Sequence, residues 1–147
     1  MDHPISTTYL DHVLIRPSAV LAAGGAWDAT PREPQCPGFN SVVFAFTYTR
    51  GGAGGAFDFK IEVSTESTGT VWHQLGLYSP AVLVAGADSQ SREQREYITY
   101  EATGAAAELF VYGGVDLEGA IERIRVTCRE SGNVGSAGTL EIKARFA

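Results

Sequence analysis

The sequence predicts an all-β protein, an antiparallel β-sandwich or jelly roll with an extended N-terminal arm. Three observations predict this fold class. Val and Ile together outnumber Leu, and the 147 residues include 7 Phe and 6 Tyr; β-branched and aromatic side chains favour strands. Short stretches of alternating apolar and polar residues recur along the chain. Most of the 17 Gly fall between these stretches, where turns are needed.

The alternation is clearest at residues 57–64, where Phe57, Phe59, Ile61 and Val63 occupy every second position. We expect these four side chains to be buried and the charged residues between them to tolerate Ala within about 0.5 kcal/mol. A flexible glycine-rich loop is expected at 51–55 and a short helical turn is one interpretation of 116–122. Other strands are predicted at 41–49, 70–77, 95–102, 107–112, 124–129 and 140–146.

The composition changes near residue 38, which divides the chain into an N-terminal arm (1–38) and a sandwich domain (39–147). All but one of the 6 Pro precede this position, and proline cannot occupy a central strand. The arm nevertheless carries large apolar side chains that need to be covered. Either an edge strand of the same sandwich or a neighbouring subunit covers them. The candidate interface residues are Leu10, Val13, Leu14, Ile15, Val20, Leu21 and Trp27.

Charge and hydropathy exclude several kinds of partner. The chain has 11 basic and 17 acidic residues, a net charge of −6, and no cluster of Lys or Arg, so nucleic acid is not an expected partner. No apolar run approaches the ~20 residues that span a bilayer, so a membrane is not expected either. Cys36 and Cys128 lie far apart and outside any zinc-binding pattern. They are either two buried thiols or a single bridge.

No residue pattern indicates catalysis, and we expect no catalytic residue, no cofactor and no metal. The histidines lack ligand spacing, and no serine stands in a nucleophile motif. A strand rather than a helix follows the glycine-rich loop, which argues against phosphate binding. Carboxylates such as Glu62, Glu108 and Glu130 are expected on solvated strand faces. The sequence therefore predicts a protein that is not an enzyme.

Two stretches of sequence resemble a known group of proteins. The first runs from Phe46 to Ser64 and on to Trp72-His73-Gln74; the second is Arg123-Ile-Arg-Val-Thr-Cys-Arg-Glu-Ser-Gly-Asn, followed by Gly138-Thr-Leu-Glu-Ile. Together they resemble the small β-sandwich accessory, or decoration, proteins of tailed-bacteriophage virions. This resemblance implies a homo-oligomeric virion structural protein, assembled in the host cytoplasm, that decorates the capsid or serves the head, neck or tail. Its partners would be capsid or tail subunits.

A second interpretation comes from the hairpin that precedes Trp72. This pattern is similar to galactose-binding-like jelly rolls, which implies a carbohydrate-binding module. Its candidate stacking residues would be Trp72 and Tyr78, and its ligand a surface glycan.

Overall fold

The structure, a computed structural model, describes residues 10–79, 82–84 and 93–147. It confirms the all-β sandwich, since two sheets pack against each other. The strands are β1 (Leu10–Val20), β2 (Ser41–Thr49), β3 (Ala56–Ser64), β4 (His73–Gln74), β5 (Leu77–Ser79), β6 (Val82–Val84), β7 (Glu93–Arg95), β8 (Ile98–Glu101), β9 (Glu108–Asp116), β10 (Arg123–Glu130) and β11 (Thr139–Phe146). The first sheet has the order β1-β11-β2-β9. The second has the order β10-β3-β8-β6, with β4 also paired to β3, and β5 and β7 form a separate ribbon.

The core lies between the two sheets and is rich in aromatic side chains. The predicted inner face of β3 is confirmed, because Phe57, Phe59, Ile61 and Val63 are all buried. Phe46 on β2 packs against two of them, with its ring centroid 5.6 Å from that of Phe57 and 4.5 Å from that of Phe59. Contacts at these distances add aromatic interaction energy to the hydrophobic gain from burial.

The described part of the N-terminal segment belongs to the sandwich. Strand β1 pairs antiparallel with β11, and the side chains of Ile15 and Leu21 lie in the core. The pairing contains several register shifts, one of them spanning Pro17, which lacks a backbone N–H for the ladder. Of the two alternatives, an edge strand of the same sandwich or contact with a neighbouring subunit, the structure shows the edge strand for residues 10–20.

Residues 28–36 follow the outer edge of β10 and cover it without forming a continuous strand. The Asp28 amide donates to the Cys128 carbonyl over 2.9 Å, the Cys36 amide to the Glu122 carbonyl over 2.9 Å, and the Ile124 amide to the Pro34 carbonyl over 3.2 Å. Prolines between these contacts interrupt the ladder. Cys36 and Cys128 are both buried and free, so the alternative of two buried thiols is confirmed. Burial raises the pKa of Cys36 to about 11, and the nearby Glu122 carboxylate adds to this shift.

Four sequence predictions about element boundaries are wrong. The predicted strand 95–102 is interrupted by a bend at residues 96–97, so β7 ends at Arg95 and β8 begins at Ile98. Within 70–77 only the stretch from His73 to Leu75 bonds β3, and the Leu75 amide donates to the Ile61 carbonyl over 2.9 Å. Before this stretch, the Glu66 carboxylate accepts a hydrogen bond from the Val71 amide over 2.9 Å and holds the chain in a turn. Strand β9 continues through Gly114, whose φ of 77° suits glycine and accompanies a bulge. The helical interpretation of 116–122 fails because Glu118 and Gly119 have φ of 51° and 69°, outside the right-handed helical region.

No helix in the described ranges is long and apolar enough to cross a membrane.

Replacing Phe59 with Ala is expected to lower the free energy of unfolding by about 3–5 kcal/mol, since it removes a fully buried ring and leaves a cavity. Denaturant unfolding followed by tryptophan fluorescence measures the loss. The matched control is Val71→Ala, at a position 52% exposed, where a change within about 0.5 kcal/mol is expected. A loss below about 1 kcal/mol for Phe59→Ala would contradict the packing described here.

Candidate functional site

Strand β9 forms one edge of the first sheet and presents apolar side chains to solvent. It pairs with β2 on one side, and within the described ranges no strand pairs with its other side. Leu109 and Val111 are 69% and 55% exposed, and Val43 on β2 is 39% exposed. Leu109 and Val111 are opposite Thr47 and Ala45 of β2, and a Cβ at Gly113 would lie 3.7 Å from the Val43 side chain, so Val43 is next to β9 two positions along β2 from the partner of Val111. We call Leu109, Val111 and Val43 the β9 edge surface.

The other long edges of the sandwich are protected against pairing with a strand of another chain. Strand β1 is irregular, and its Arg16 side chain bonds the Ala19 carbonyl over 2.9 Å and the Asp28 carboxylate over 3.0 Å. Residues 28–36 cover the edge of β10. Prolines, bulges, charges and covering segments are the usual means of preventing edge-to-edge pairing. Strand β9 combines length, regular pairing over 108–112 and exposed apolar groups, which favours contact with another chain.

A groove runs beside β9 on the side that faces the second sheet. Its volume is about 560 Å³, and its walls are residues 110–116 of β9 together with Leu75, Leu77 and Leu83. The backbone of β9 therefore borders a concave, partly apolar space. An extended segment lying there could bond the β9 backbone and place side chains against these leucines.

The carboxylate at the start of β9 is bonded within its own loop. Glu108 accepts hydrogen bonds from the Tyr100 hydroxyl over 2.8 Å, the Thr103 amide over 2.8 Å and the Gly104 amide over 3.0 Å. Desolvation alone would raise the pKa of Glu108, but these hydrogen bonds outweigh it, and the pKa lies below its usual value. Burial and the bond to Glu108 raise the pKa of Tyr100 to about 12.

A second carboxylate, Glu130, is buried at the same end of the sandwich and binds two glycine-rich loops. It is 1% exposed, in contrast to the solvated position expected from the sequence. Its two oxygens accept hydrogen bonds from the Tyr48 hydroxyl (2.7 Å) and from the amides of Gly138 (2.9 Å), Ala56 (3.0 Å), Gly132 (3.1 Å) and Asn133 (3.1 Å). Burial, reinforced by the bond to Glu130, raises the pKa of Tyr48. Five donors explain how a carboxylate is accommodated in the interior.

The loop at 51–55 packs tightly against the loop at 131–138, which differs from the flexible loop expected. A Cβ on Gly51 would overlap the carbonyl oxygens of Ala137 and Ser136. The Ser136 hydroxyl donates to the Gly51 carbonyl over 2.8 Å, and the Asn133 side-chain amide donates to the Ala53 carbonyl over 3.0 Å. The glycines permit a close backbone approach that larger residues would prevent.

On the outer face of the second sheet, Trp27 packs within the molecule. The Lys60 ammonium lies 4.5 Å and the Arg129 guanidinium 4.3 Å from a Trp27 ring centroid, as in cation–π contacts. Arg129 also donates to Asp58 over 2.7 Å, and the Thr99 hydroxyl donates to the same carboxylate over 2.6 Å. Asp58 is only 2% exposed, so the solvated position on which its expected tolerance of Ala depends is wrong. We now expect Asp58→Ala to be destabilising, because the substitution would leave two partners without their acceptor.

The candidate stacking residue Trp72 is also engaged locally. The Arg125 guanidinium lies 4.1 Å from its ring centroid, and its indole N–H donates to the Gly69 carbonyl over 2.7 Å. The side chain of Tyr78 lies outside the described residues. Of the two candidate stacking side chains, the described residues therefore include only Trp72, and carbohydrate binding stays a prediction.

The candidate interface residues of the N-terminal segment have different environments. Ile15 and Leu21 lie in the core, so these two are not available to a neighbouring subunit. Val13 packs partly against the core, while Leu14 and Val20 are exposed. The side chain of Leu10 lies outside the described residues.

Sequence reasoning did not single out Leu109 and Val111. Their alternation with Phe110 and Tyr112 was visible, and it indicated a strand, but the identity of the outer face and of the edge depends on which strands pair. In the part of the chain that the structure describes, no group of three or more His, Cys, Asp or Glu side chains is placed to hold a metal ion. His73 is exposed on β4.

Comparison with known proteins gives little that is similar. The sequence matches no protein-family model and no curated protein. Among solved structures, the chain is similar to one titled "Structure of infectious bursal disease virus Gt strain", with 13% identity and a TM-score of 0.28. The match covers 95% of this chain and 39% of that one, so the chain spans well under half of its length.

Substituting Glu130 with Gln is expected to destabilise the fold by about 3 kcal/mol or more, because the new amide would point N–H groups at backbone N–H groups. Tyr48→Phe removes one of the five donors and is expected to cost about 1–2 kcal/mol. Denaturant unfolding measures both. Glu141→Gln, on the outer face of β11, is the control and should change stability by less than about 0.5 kcal/mol. Equal effects of the two Glu→Gln substitutions would contradict the role of Glu130.

Acid is expected to weaken the fold partly through Glu108. Its folded-state pKa is lowered from 4.5, so its carboxylate stabilises the protein above that pH, and this contribution is lost as the pH falls through the folded-state pKa. Glu108→Gln should therefore lower stability at neutral pH and reduce the slope of stability against pH in the acid range. Unfolding curves from neutral to acid pH measure this slope, and an unchanged slope in the variant would contradict the assignment.

Proposed function

We propose that this protein is a non-enzymatic virion structural subunit, a capsid decoration or a head, neck or tail accessory protein, that acts by adhesion to neighbouring subunits. The observation that carries the proposal is the β9 edge surface. There, Leu109 and Val111 are exposed on a long edge strand, while the other long edges are covered or irregular. An open apolar edge is a surface for contact with another chain.

The energetics of such a surface suit an adhesive subunit. Apolar area removed from water contributes roughly 25 cal/mol per Å², and backbone hydrogen bonds along an added strand contribute specificity. One edge provides a modest affinity by itself. Many copies on a regular particle would act together, because effective concentration converts modest single contacts into stable attachment.

The rigidity of the sandwich supports the same proposal. Glu130 joins the two glycine-rich loops, and Glu108 closes the loop that leads into β9. A strand that is already held in one conformation loses less conformational entropy when it binds. Adhesion requires this preorganisation and no reactive group.

The assignment to a phage virion is supported by the sequence resemblance at 46–64 and 123–133. Leu14 and Val20 on β1 are exposed and offer a second area for contact with capsid or tail subunits. Under this proposal the protein is located in the virion.

If the proposal is correct, the protein should be present in gradient-purified particles at many copies per particle. Quantitative mass spectrometry of those particles measures the copy number. Val111→Lys places a charge on the β9 edge surface and should lower occupancy at least tenfold. The control Val134→Lys, at a loop position 48% exposed, should leave occupancy unchanged.

Absence from purified particles would contradict the proposal. Glycan-array binding that is lost in a folded Trp72→Ala variant would instead favour the carbohydrate-binding module.

A further inference from the structure

We infer that the β9 edge pairs with the β9 edge of a second copy of this chain, antiparallel and centred on Phe110. The inference deepens the proposed function and rests on it in one respect, namely that the β9 edge surface is adhesive. It adds the identity of the partner and the register of pairing.

The regular part of β9 sets the register. Residues 108–112 pair with β2 without interruption on their inner side, whereas a bulge follows between Val42 and Phe44 of β2, and Gly114 has a φ of 77°. A bulge bends a strand and disrupts the ladder. Two copies of the segment 108–112 overlap fully in antiparallel pairing only when Phe110 is opposite Phe110.

This register makes the exposed side chains complementary. Leu109 of one copy lies opposite Val111 of the other, and the two-fold axis repeats the pair. All four side chains are on the outer face of the first sheet, where they are 69% and 55% exposed in one copy. Directly opposite apolar pairs are the unit of stabilisation between antiparallel strands. An isologous contact of this kind uses the same patch twice and closes at two copies.

Charge favours the same register. No charged residue lies between Leu109 and Val115, and the Glu108 carboxylate is bonded to the Tyr100 hydroxyl and to two amides of its own loop. A register centred on residue 112 would instead set Glu108 opposite Asp116 and include the bulge, and like charges directly opposite are unfavourable. Pairing centred on Phe110 avoids both penalties.

The resulting dimer would have one continuous sheet of eight strands in the order β1-β11-β2-β9-β9-β2-β11-β1. The side chains of Leu109 and Val111 would be shielded by their symmetry mates. Both β9 edges would be removed from solvent, and the β1 edges would become the ends of the sheet. The second sheet would stay accessible to other virion proteins.

Sedimentation equilibrium of the intact chain tests whether a dimer forms. A reversible monomer–dimer equilibrium is expected, and Val111→Lys should raise its dissociation constant at least tenfold. Val134→Lys is the control and should leave the constant unchanged, because Val134 is exposed in the loop after β10. A chain that is monomeric at all concentrations would overturn the inference, as would equal dissociation constants for the two variants.

Cross-linking tests the register. A mixture of Leu109→Cys and Val111→Cys chains should form a disulfide between the two variants under mild oxidation, because these positions are opposite each other. Each variant alone should form much less. Cys36 and Cys128 are buried, so the wild-type chain is the background control. Efficient cross-linking of Val111→Cys with itself would place the axis at residue 111 and overturn the proposed register.

The outcomes separate this inference from the proposed function. A monomer found in purified particles would overturn the dimer and leave the virion role standing. A dimer absent from particles would support the pairing and overturn the virion role.

Discussion

Each edge strand of a β-sheet carries backbone N–H and C=O groups that another strand can bond, and the treatment of these edges determines how a sandwich meets other molecules. In this protein the N-terminal segment protects two of these edges. Residues 28–36 cover the edge of β10, and β1 adds an irregular strand to the first sheet. With these edges covered or irregular, β9 is left as a long, regularly paired edge that carries the exposed side chains of Leu109 and Val111. The adhesive role that we propose rests on this difference between the edges.

The exposed edge depends on order at the end of the sandwich where β9 begins. Tyr48 is opposite Glu108 in the β2–β9 ladder, and its hydroxyl donates a hydrogen bond to Glu130. Two carboxylates thus hold the chain on both sides of this ladder, Glu130 through the glycine-rich loops and Glu108 through the loop after β8. Each carboxylate accepts hydrogen bonds from backbone amides of the adjoining loops, which have no neighbouring strand to bond. Strand β9 is consequently held in place where it begins.

Sequence reasoning succeeded where a local pattern determines the structure. Alternation at 57–64 predicted the buried face of β3, because period-two patterning reports burial directly. It failed where one side chain overrides the local pattern. The Glu66 carboxylate accepts a hydrogen bond from the Val71 amide and holds in a turn the residues that were predicted to begin a strand. The burial of Glu130 also escaped it, since the donors come from three separate parts of the chain. Long-range pairing likewise decides which strand is an edge, so the β9 edge surface required the structure.

Hydrogen–deuterium exchange measured at low and high protein concentration would test the pairing of two β9 edges, because it locates newly formed backbone hydrogen bonds. We expect amides in 108–112 to exchange more slowly at high concentration and those of β1 to be unchanged. Protection gained at β1 alone, or identical exchange across β9 at both concentrations, would contradict it.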